Sequence, residues 1–342
     1  MKRAELVFER PEGTFAHEPP EVRGRGRDDV RLLVTRPDGH HHAQFDDLPQ
    51  FLRKGDLLVV NESAAIPASL PAEGRLGSIL LNLCTRFRSD LWIAEPRWAA
   101  GKPGPLPVES DEELRIGSAT VRLLDPYPGI PRLWFASADQ PFETMVAEHG
   151  GPIHYGYTKA WPMDTYQTGF SRVPGSAEMP SAARPITPRI REELEHVGVR
   201  VAPVLLHTGV SSLEIESETV EAQAMYPEPF AVSPATADAV NRTHANGGRV
   251  IAVGTTVVRA LESAWTPEGL RSRNGFTRLF VNPDHGIHAV DGLLTGFHDP
   301  VTSHLALLTA FLGIDAVRDA YAEAIRAGYL WHEFGDSHLV IR

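Results

Sequence analysis

The chain has 342 residues, of which 42% are hydrophobic and 23% charged, which predicts a globular protein with two domains or one large domain carrying an insertion. Its net charge of -11 argues against a surface coated in basic residues for general nucleic-acid binding. Because it has no apolar run of about 18 residues, no signal-peptide core and one cysteine, Cys84, we expect a cytoplasmic protein without membrane contact, disulfides or a multi-thiolate metal site.

The first third of the chain begins with α/β-type elements. Residues 31–35 predict a strand, and residues 55–61 predict a buried strand that ends on the polar residue Asn61. A short helix fits residues 45–52. The histidines at residues 40–42 predict an exposed turn rather than a metal site, because adjacent side chains do not converge without further ligands.

The pattern changes between residues 70 and 149. Short β-type runs alternate with turn clusters such as residues 101–104, and this spacing indicates a small barrel or sandwich. The predicted strands of this block lie at residues 78–87, 91–98, 119–125 and 132–136.

Strands and helices alternate beyond residue 150, which indicates an α/β domain. The predicted helices lie at residues 187–197, 234–245, 301–311 and 314–328, and the predicted strands at residues 200–206, 250–253, 279–282 and 337–342. The β-rich block is therefore best interpreted as an insertion. We predict an α/β domain formed by residues 1–69 and 150–342, with residues 70–149 as the inserted β domain.

Residues 249–263 are the most informative segment. An apolar run at residues 250–253 ends at Gly254, the hydroxyls of Thr255 and Thr256 follow, and a helical pattern then begins. Such a strand–turn–helix junction presents free backbone N–H groups and a positive dipole end at the carboxyl edge of a sheet, where anionic groups of ligands bind. The alternative is an ordinary threonine N-cap.

Other polar clusters also follow predicted strands. Asn61, His207 and His298 lie at such positions, so residues distant in sequence can meet along one sheet edge. The two histidines are candidates for acid, base or hydrogen-bond donor, with a structural role as the alternative for each. Asp336, just before the terminal strand, is a candidate for accepting a hydroxyl or an amine, and capping a turn is its alternative role.

Several other chemistries lack their sequence patterns. Phosphate-loop, dinucleotide-binding, nucleophile-elbow and metalloprotease patterns are absent. His285 and His288 are three residues apart, but no further ligand cluster in the sequence supports zinc, so we predict no metal site. Two groups of arginines form either local nucleic-acid patches or solvated faces: Arg23, Arg25, Arg27 and Arg31, and Arg184, Arg189 and Arg191.

Taken in order, the motifs of the chain resemble those of the queuosine-pathway S-adenosylmethionine:tRNA ribosyltransferase-isomerase family. The resemblance covers nearly the whole chain, and the order and spacing of the motifs are more specific than any one of them. The matching motifs are Arg27-Asp28, residues 31–34, 45–49, 55–61 and 66–68, Tyr166-Gln167-Thr168, Leu206-His207, residues 248–256 and 259–263, Leu294-Thr295, Phe297-His298, Tyr321 and residues 334–336.

This resemblance implies an α/β domain with an inserted small antiparallel β-barrel. It also implies transfer and isomerisation of the ribosyl moiety of S-adenosylmethionine, a co-substrate, onto 7-aminomethyl-7-deazaguanine in tRNA. The products are epoxyqueuosine, adenine and methionine, and neither a metal nor a redox cofactor is needed. The sequence leaves the oligomeric state undetermined.

The reaction assigns roles to the candidate residues. A base must remove the proton at C5′ next to the sulfonium, and His207, His298 or the substrate's own amine is the candidate. Gly254, Thr255, Thr256 and Arg259 are expected to hold the methionine carboxylate. Tyr166 and Gln167 are expected to hold the base by stacking and amide hydrogen bonds. Asn61 completes the predicted substrate-binding set, and Asp336 the catalytic one.

The chain also departs from the family pattern. The family has arginine where Ala64 and Ser69 stand and lysine where Val301 stands, and residues 210–213 replace its Gly-Thr-Phe-type turn. Each lost phosphate contact weakens RNA binding by roughly 1 kcal/mol. Two alternatives therefore stay open beside the tRNA-modifying enzyme: a paralogue that uses S-adenosylmethionine with another nucleobase or small molecule, and a non-catalytic binding protein on the same fold.

Overall fold

The computed structural model of the chain describes residues 1–99, 102, 106–210 and 214–342. Most of the predicted turn at residues 101–104, and residues 211–213 of the segment that departs from the family pattern, lie outside these ranges. In the parts of the chain that the structure describes, every helix is too short or too polar to cross a lipid bilayer.

Nineteen strands and seven α-helices are described. The strands are β1 Arg31–Arg36, β2 Gly39–Gln44, β3 Leu57–Asn61, β4 Ser63–Ala65, β5 Ser69–Gly74, β6 Gly77–Arg88, β7 Leu91–Trp98, β8 Glu112–Ile116, β9 Ala119–Tyr127, β10 Ile130–Ala138, β11 Val173–Ser176, β12 Arg200–Leu206, β13 Glu228–Val232, β14 Val250–Val253, β15 Trp265–Thr266, β16 Gly269–Leu270, β17 Arg273–Thr277, β18 Gly292–Gly296 and β19 Ser337–Ile341. The helices are α1 Leu48–Phe51, α2 Phe142–His149, α3 Pro188–His196, α4 Pro234–Ala245, α5 Thr255–Ala264, α6 Ser303–Leu312 and α7 Ile314–Arg326.

The main sheet has nine strands in the order β17-β13-β12-β3-β14-β18-β19-β1-β2. Strands β12, β3, β14 and β18 are mutually parallel, so their carboxyl ends lie at one edge. Strand β19 runs antiparallel to β18, with Ser337 opposite Gly296, so the start of β19 reaches the same edge. This edge is where ligands bind in open α/β sheets.

Both faces of the main sheet are covered. All five residues of β3 are buried, as expected for a central parallel strand. Leu57 and Val59 join the apolar core that also contains residues of α4, α5, α6 and α7. Leu58 and Val60 join the core on the other face, with residues of α1 and α3. The period-two alternation of strand side chains therefore places helices on each side of the sheet.

The β-rich block forms a closed antiparallel barrel in the order β10-β7-β6-β5-β8-β9. This confirms the predicted fold class, an α/β domain carrying a small antiparallel β-barrel. Ser69 and Gly151 exchange two backbone hydrogen bonds of 2.9 Å, so the chain enters and leaves the barrel region side by side. The domain boundaries after residues 69 and 149 stay a prediction; the barrel strands themselves extend from Ser69 to Ala138.

Two local predictions are wrong. The histidines at residues 40–42 lie in edge strand β2, where His40 and His42 pair with Asp319 and Glu323 of α7. Residues 279–282 are not a strand; the preceding strand is β17, which ends at Thr277. The Leu279 backbone bonds side chains instead: its N–H donates to Thr277 Oγ1 and its carbonyl accepts from Arg259 Nε.

His338 provides a test of how the core responds to pH. Its side chain is fully buried, Nε2 shares a hydrogen bond of 2.8 Å with Thr35 Oγ1, and Nδ1 has no partner among the described residues. Burial lowers the pKa of His338 to about 3. The unfolded chain takes up this proton below about pH 6.5, whereas the folded chain resists it, so folding stability is lost as pH falls through this interval.

Glutamine at position 338 keeps a hydrogen-bond partner for Thr35 but does not titrate. We therefore expect His338→Gln to reduce the slope of the free energy of unfolding against pH by up to about 1.4 kcal/mol per pH unit between about pH 6 and pH 4. Urea denaturation at a series of pH values measures it. His196→Gln, at an exposed position of α3, is the matched control and should follow the wild-type slope. Identical slopes for the wild type and both variants would contradict the assignment.

Candidate functional site

A cleft of about 1050 Å³, a volume that includes space open to solvent, lies at the carboxyl edge of the main sheet. The walls of this cavity come from the ends of β4 and β18, the starts of α5 and α6, and several irregular segments. The residues used below are Tyr155, Tyr157, Tyr166, Glu178, Thr208, Gly254, Thr255, Thr256, Thr295, His298, Asp299, His304, His332 and Glu333.

The predicted strand–turn–helix junction forms one wall. Gly254 has φ 97°, a conformation that disfavours side chains, and it lets the chain turn directly from β14 into α5. Thr255 and Thr256 are buried and line the cavity. The first turn of α5 supplies N–H groups without partners inside the helix and the positive end of its dipole. The junction is therefore suited to an anionic ligand group.

Asn61 lies behind this wall and joins its parts. Its Oδ1 accepts from the backbone N–H of Ser63 and of Leu206, each at 3.1 Å. Its Nδ2 donates to the Leu206 carbonyl at 2.8 Å and to Thr256 Oγ1 at 3.4 Å. The Asn61 amide, predicted to bind substrate, therefore bonds to the protein itself and connects β3, β12 and α5.

His298 lines the cavity and is fixed at three points. Its ring Nε2 shares a hydrogen bond of 2.9 Å with Thr295 Oγ1. Its backbone N–H donates to Tyr321 Oη at 3.1 Å, and its backbone carbonyl accepts from Trp331 Nε1 at 3.0 Å. Burial, with the neighbouring histidines, places the pKa of His298 well below its usual range. The imidazole is therefore neutral at physiological pH and has a lone pair able to accept a proton.

His207 lies behind the cavity, next to the lining residue Thr208. Its Nδ1 shares a hydrogen bond of 2.8 Å with Ser63 Oγ, which is 2.6 Å from Ser176 Oγ. Ser176 Oγ in turn accepts from the Thr208 N–H at 2.9 Å. Burial lowers the pKa of His207 as well. This chain of hydroxyls connects His207 to the cavity wall, so the two predicted histidines belong to one region.

The two predicted base-holding residues have different positions. Tyr166 is buried, lines the cavity and packs 5.7 Å from the ring of Phe334. The Gln167 amide is committed to the backbone of Ala65, with Nε2 donating to its carbonyl at 2.8 Å and Oε1 accepting from its N–H at 3.2 Å. Because Ala65 lines the cavity, Gln167 shapes the wall through the backbone.

Asp336 belongs to a different surface. Its Oδ1 accepts from the Arg31 N–H at 2.8 Å, and its Oδ2 accepts from the Leu330 N–H at 2.8 Å and the Arg31 guanidinium at 3.0 Å. It lines a second cavity together with Arg31 and Arg189. These contacts agree with the turn-capping alternative rather than with a catalytic role.

Arg259 also stands behind the cavity. Its Nη1 donates to Glu228 and its Nε donates to the Leu279 carbonyl at 2.9 Å, while Nη2 is buried without a hydrogen-bond partner in the described parts of the chain. Burial and then the charge of Arg259 lower the pKa of the cavity residue His304 to about 4. The guanidinium is thus close enough to act on the cavity electrostatically.

Three cavity carboxylates were not predicted from the sequence. Glu178 accepts from the Tyr155 hydroxyl, and Glu333 Oε2 accepts from the Tyr157 hydroxyl at 2.5 Å. Asp299 pairs with Arg10 at 3.0 Å and with His332 at 3.4 Å. The only sequence signal was indirect: Asp299 follows the predicted His298, and Glu333 comes three residues before Asp336.

A flat aromatic wall also escaped sequence reasoning. Tyr157 stacks on His332 with ring centroids 4.4 Å apart, and on Phe15 at 4.9 Å. Tyr155 lies 6.1 Å from Tyr157 at an interplanar angle of 17°. Such faces are suited to stacking with a nucleobase.

Thr208 supplies an unused polar group. It is 4% exposed, lines the cavity, and its hydroxyl oxygen has no hydrogen-bond partner within the residues that the structure covers. Buried hydroxyls normally have partners, so this one is positioned to bond a ligand.

The cavity therefore has a distinct charge pattern. Carboxylates face it, its imidazoles at His298 and His304 are held neutral by burial, and no lysine or arginine is among its described lining residues. These features favour a ligand with a positive charge, while the α5 N-terminus favours an anionic group on the same ligand.

Four arginines of the two candidate basic patches have carboxylate partners. Arg184 is 3% exposed and pairs with Glu21 at 2.7 Å, and Arg27 pairs with the same carboxylate at 2.9 Å. Arg189 pairs with Asp28 at 2.8 Å, and Arg31 pairs with Asp336. Of these four, Arg184 is an internal tie, whereas Arg27, Arg31 and Arg189 remain partly exposed at the surface, each beside a carboxylate.

The fold and the cavity define an α/β enzyme whose ligand site lies at the carboxyl edge of its sheet, beside an inserted barrel. A model described as queuosine biosynthesis protein matches residues 3–340, and the chain belongs to this family.

Two curated relatives named S-adenosylmethionine:tRNA ribosyltransferase-isomerase match nearly end to end. The protein of Moorella thermoacetica is 36% identical over 351 residues, covering 100% of both chains. The protein of Thermus thermophilus is 37% identical over 344 residues, covering 95% of this chain and 97% of the relative. The crystal structure of S-adenosylmethionine tRNA ribosyltransferase from Thermotoga maritima matches with a TM-score of 0.55 and 28% identity, covering 98% of this chain and 100% of the other.

The buried Arg259–Glu228 pair allows a test of its structural role. Glu228→Gln leaves the Arg259 charge buried without its counter-ion, and we expect it to lower the free energy of unfolding by about 3–5 kcal/mol. Replacing both residues, as Glu228→Gln with Arg259→Met, should recover part of that loss. Urea denaturation measures both effects. A single variant as stable as the wild type would show that the pair does not support the fold.

Proposed function

We propose that this protein transfers and isomerises the ribosyl moiety of S-adenosylmethionine onto 7-aminomethyl-7-deazaguanine in tRNA, giving epoxyqueuosine, adenine and methionine. Family membership and the shared name of its full-length relatives support this function. The family pattern has basic residues where this chain has Ala64, Ser69 and Val301, so the identity of the acceptor is the part of the proposal that most needs a test.

The charge pattern of the cavity is the observation that carries the proposal. S-adenosylmethionine has a positive sulfonium, an ammonium and a carboxylate. The carboxylate matches the first turn of α5 at Thr255 and Thr256, and the two cationic groups match the carboxylates of Glu178, Asp299 and Glu333. The stacked wall of Tyr155 and Tyr157 offers a surface for adenine or for the acceptor base.

His298 is the best-supported base. It lines the cavity, it is neutral because of burial, and Thr295 fixes its ring. The sulfonium acidifies the C5′ proton, which a neutral imidazole in contact with the ligand can accept. His207, farther back, fits a supporting role through Ser63 and Ser176. The reaction so proposed uses S-adenosylmethionine as co-substrate and needs no metal or redox cofactor.

The alternative acceptor has its own support. The arginines of both candidate patches are largely paired with carboxylates, so this chain lacks an obvious basic face built from them. A paralogue that uses a free nucleobase or another small molecule would need no such face. The reaction assay separates this alternative from the tRNA-modifying function.

The reaction is tested by incubating the protein with S-adenosylmethionine and tRNA that carries 7-aminomethyl-7-deazaguanine, and measuring released adenine. We expect one adenine per modified tRNA and none with matched tRNA that carries guanine. We also expect His298→Gln to lower kcat about 100-fold or more, as for loss of a general base.

The outcomes are distinct. Adenine released without tRNA would assign the chain to the paralogue with another acceptor. Absence of adenine with every acceptor, despite binding of S-adenosylmethionine, would reject the proposal in favour of a binding protein.

The unpartnered hydroxyl gives a second prediction. Thr208→Val removes an oxygen that has no bond to lose in the described structure, so we expect unchanged or higher stability. If the ligand bonds this oxygen, affinity for S-adenosylmethionine should fall by about tenfold. Calorimetric titration and thermal unfolding measure the two effects.

Thr236→Val is the matched control. Thr236 is equally buried, but its Oγ1 donates to the Pro203 carbonyl at 2.6 Å and it lies outside the residues lining the cavity. It should lose about 1 kcal/mol of stability and keep ligand affinity. A Thr208 variant with wild-type affinity would place the ligand elsewhere in the cavity.

A further inference from the structure

A second cluster of ligand-type side chains lies outside the catalytic cavity. Glu262 of α5 meets His285 and His288, which belong to the irregular segment leading to β18. One potential ligand atom from each residue lies within 4.8 Å of the other two, and this is the single such group of three or more among the described residues. The sequence showed only the two histidines, because Glu262 is more than twenty positions away.

The carboxylate of Glu262 is held in a fixed orientation. Its Oε1 accepts from the backbone N–H groups of His288 and Ala289, both at 2.8 Å. Its side chain is fully buried, and Oε2 faces the His288 ring, with Nδ1 at 3.2 Å. One oxygen therefore anchors the segment, and the other bonds the His288 ring, a contact that a bound metal ion would replace.

The spacing fits two ligands of one metal ion. Zinc binds imidazole nitrogen at about 2.0–2.1 Å and carboxylate oxygen at about 2.0–2.2 Å, so two ligands at a near-tetrahedral angle lie about 3.4 Å apart. The separation of Glu262 Oε2 and His288 Nδ1 is close to that value. Binding through Nδ1 moves the proton of the neutral ring to Nε2.

His285 is the third residue of the group. Its Nδ1 lies 2.8 Å from the Gly286 carbonyl, so this nitrogen carries the proton and donates. The lone pair is then on Nε2, the arrangement that backbone carbonyls impose on metal-binding histidines. The His288 side chain is 50% exposed, which gives an ion a path from solvent and lets water fill the remaining position.

We propose that Glu262, His285 and His288 form a site for a divalent transition metal of the zinc class. The donor set of two imidazoles and one carboxylate prefers such ions to Mg²⁺ or Ca²⁺, which take oxygen ligands. The ion fastens the segment before β18 to the third turn of α5. Its role is structural, and it is separate from the ribosyl-transfer chemistry of the cavity.

The test uses the full chain, stripped with a chelator, and titrates it with Zn²⁺, Co²⁺ and Mg²⁺ by calorimetry. We expect one Zn²⁺ per chain, a visible Co²⁺ spectrum typical of nitrogen and oxygen ligands, no binding of Mg²⁺, and a rise in Tm with Zn²⁺. His285→Gln and His288→Gln should each weaken Zn²⁺ binding by about tenfold or more. Both positions are partly solvent-exposed, so the variants should fold, and circular dichroism checks this.

Two further variants make the result specific. His196→Gln, at an exposed site on α3, should bind Zn²⁺ as the wild type does. His41→Gln tests the histidine run of β2, where adventitious binding is the competing explanation. The proposal is overturned if the wild type binds no Zn²⁺, if the His285 and His288 variants bind it unchanged, or if His41→Gln removes it.

Discussion

The site depends on the side-chain amide of Asn61. An amide group offers two donor hydrogens and an acceptor oxygen with two lone pairs, and all of this capacity is used here. The bonds join the end of β3 to both polar groups of the Leu206 backbone and to the Thr256 hydroxyl. The parallel sheet brings these strand ends near one another, and the amide fixes their relative positions in the cavity wall. Aspartate at position 61 would lose both donors, so the amide is required rather than polarity alone.

Burial also affects the charge states of the side chains that line the cavity. The same desolvation that keeps His298 and His304 neutral would disfavour an unpaired carboxylate, yet Glu178, Asp299 and Glu333 also line the cavity. Each has a hydrogen-bond or ion-pair partner that compensates. For Asp299, burial acts to raise the pKa, but hydrogen bonding to His332 and the charges of His332 and Arg10 lower it overall. Hydrogen-bond and ion-pair partners therefore compensate the cavity carboxylates, whereas burial keeps the imidazoles of His298 and His304 neutral.

The sequence predicted what depends on local patterns. Helix α4 was predicted at its observed bounds, Pro234–Ala245; the Asn-Gly-Gly sequence that follows it marked its end, and the structure adds the Ser233 cap at its start. The turn at Gly254 was predicted from an apolar run that ends on this glycine. Glu333 and Glu178 were missed because their place in the cavity depends on the direction of β19 and on long irregular segments. The amide of Gln167 was assigned to the substrate, but its partner is a backbone a hundred residues earlier, which spacing cannot show.

Two residues beside the cavity have strained backbone conformations, and for one of them the hydrogen bonds that hold the strain can be identified. Val301 and His332 have φ of 59° and 74°, and for the β-branched Val301 this conformation is a true outlier. Val301 is fixed because its N–H donates to the Leu6 carbonyl and its carbonyl accepts from Ile215 N–H. It stands between Asp299 and His304, both of which line the cavity. Such a backbone conformation costs about 1–3 kcal/mol, and it persists only where surrounding interactions hold it in place. Here those bonds come from two distant segments, so the strained turn holds a carboxylate and an imidazole at the cavity edge.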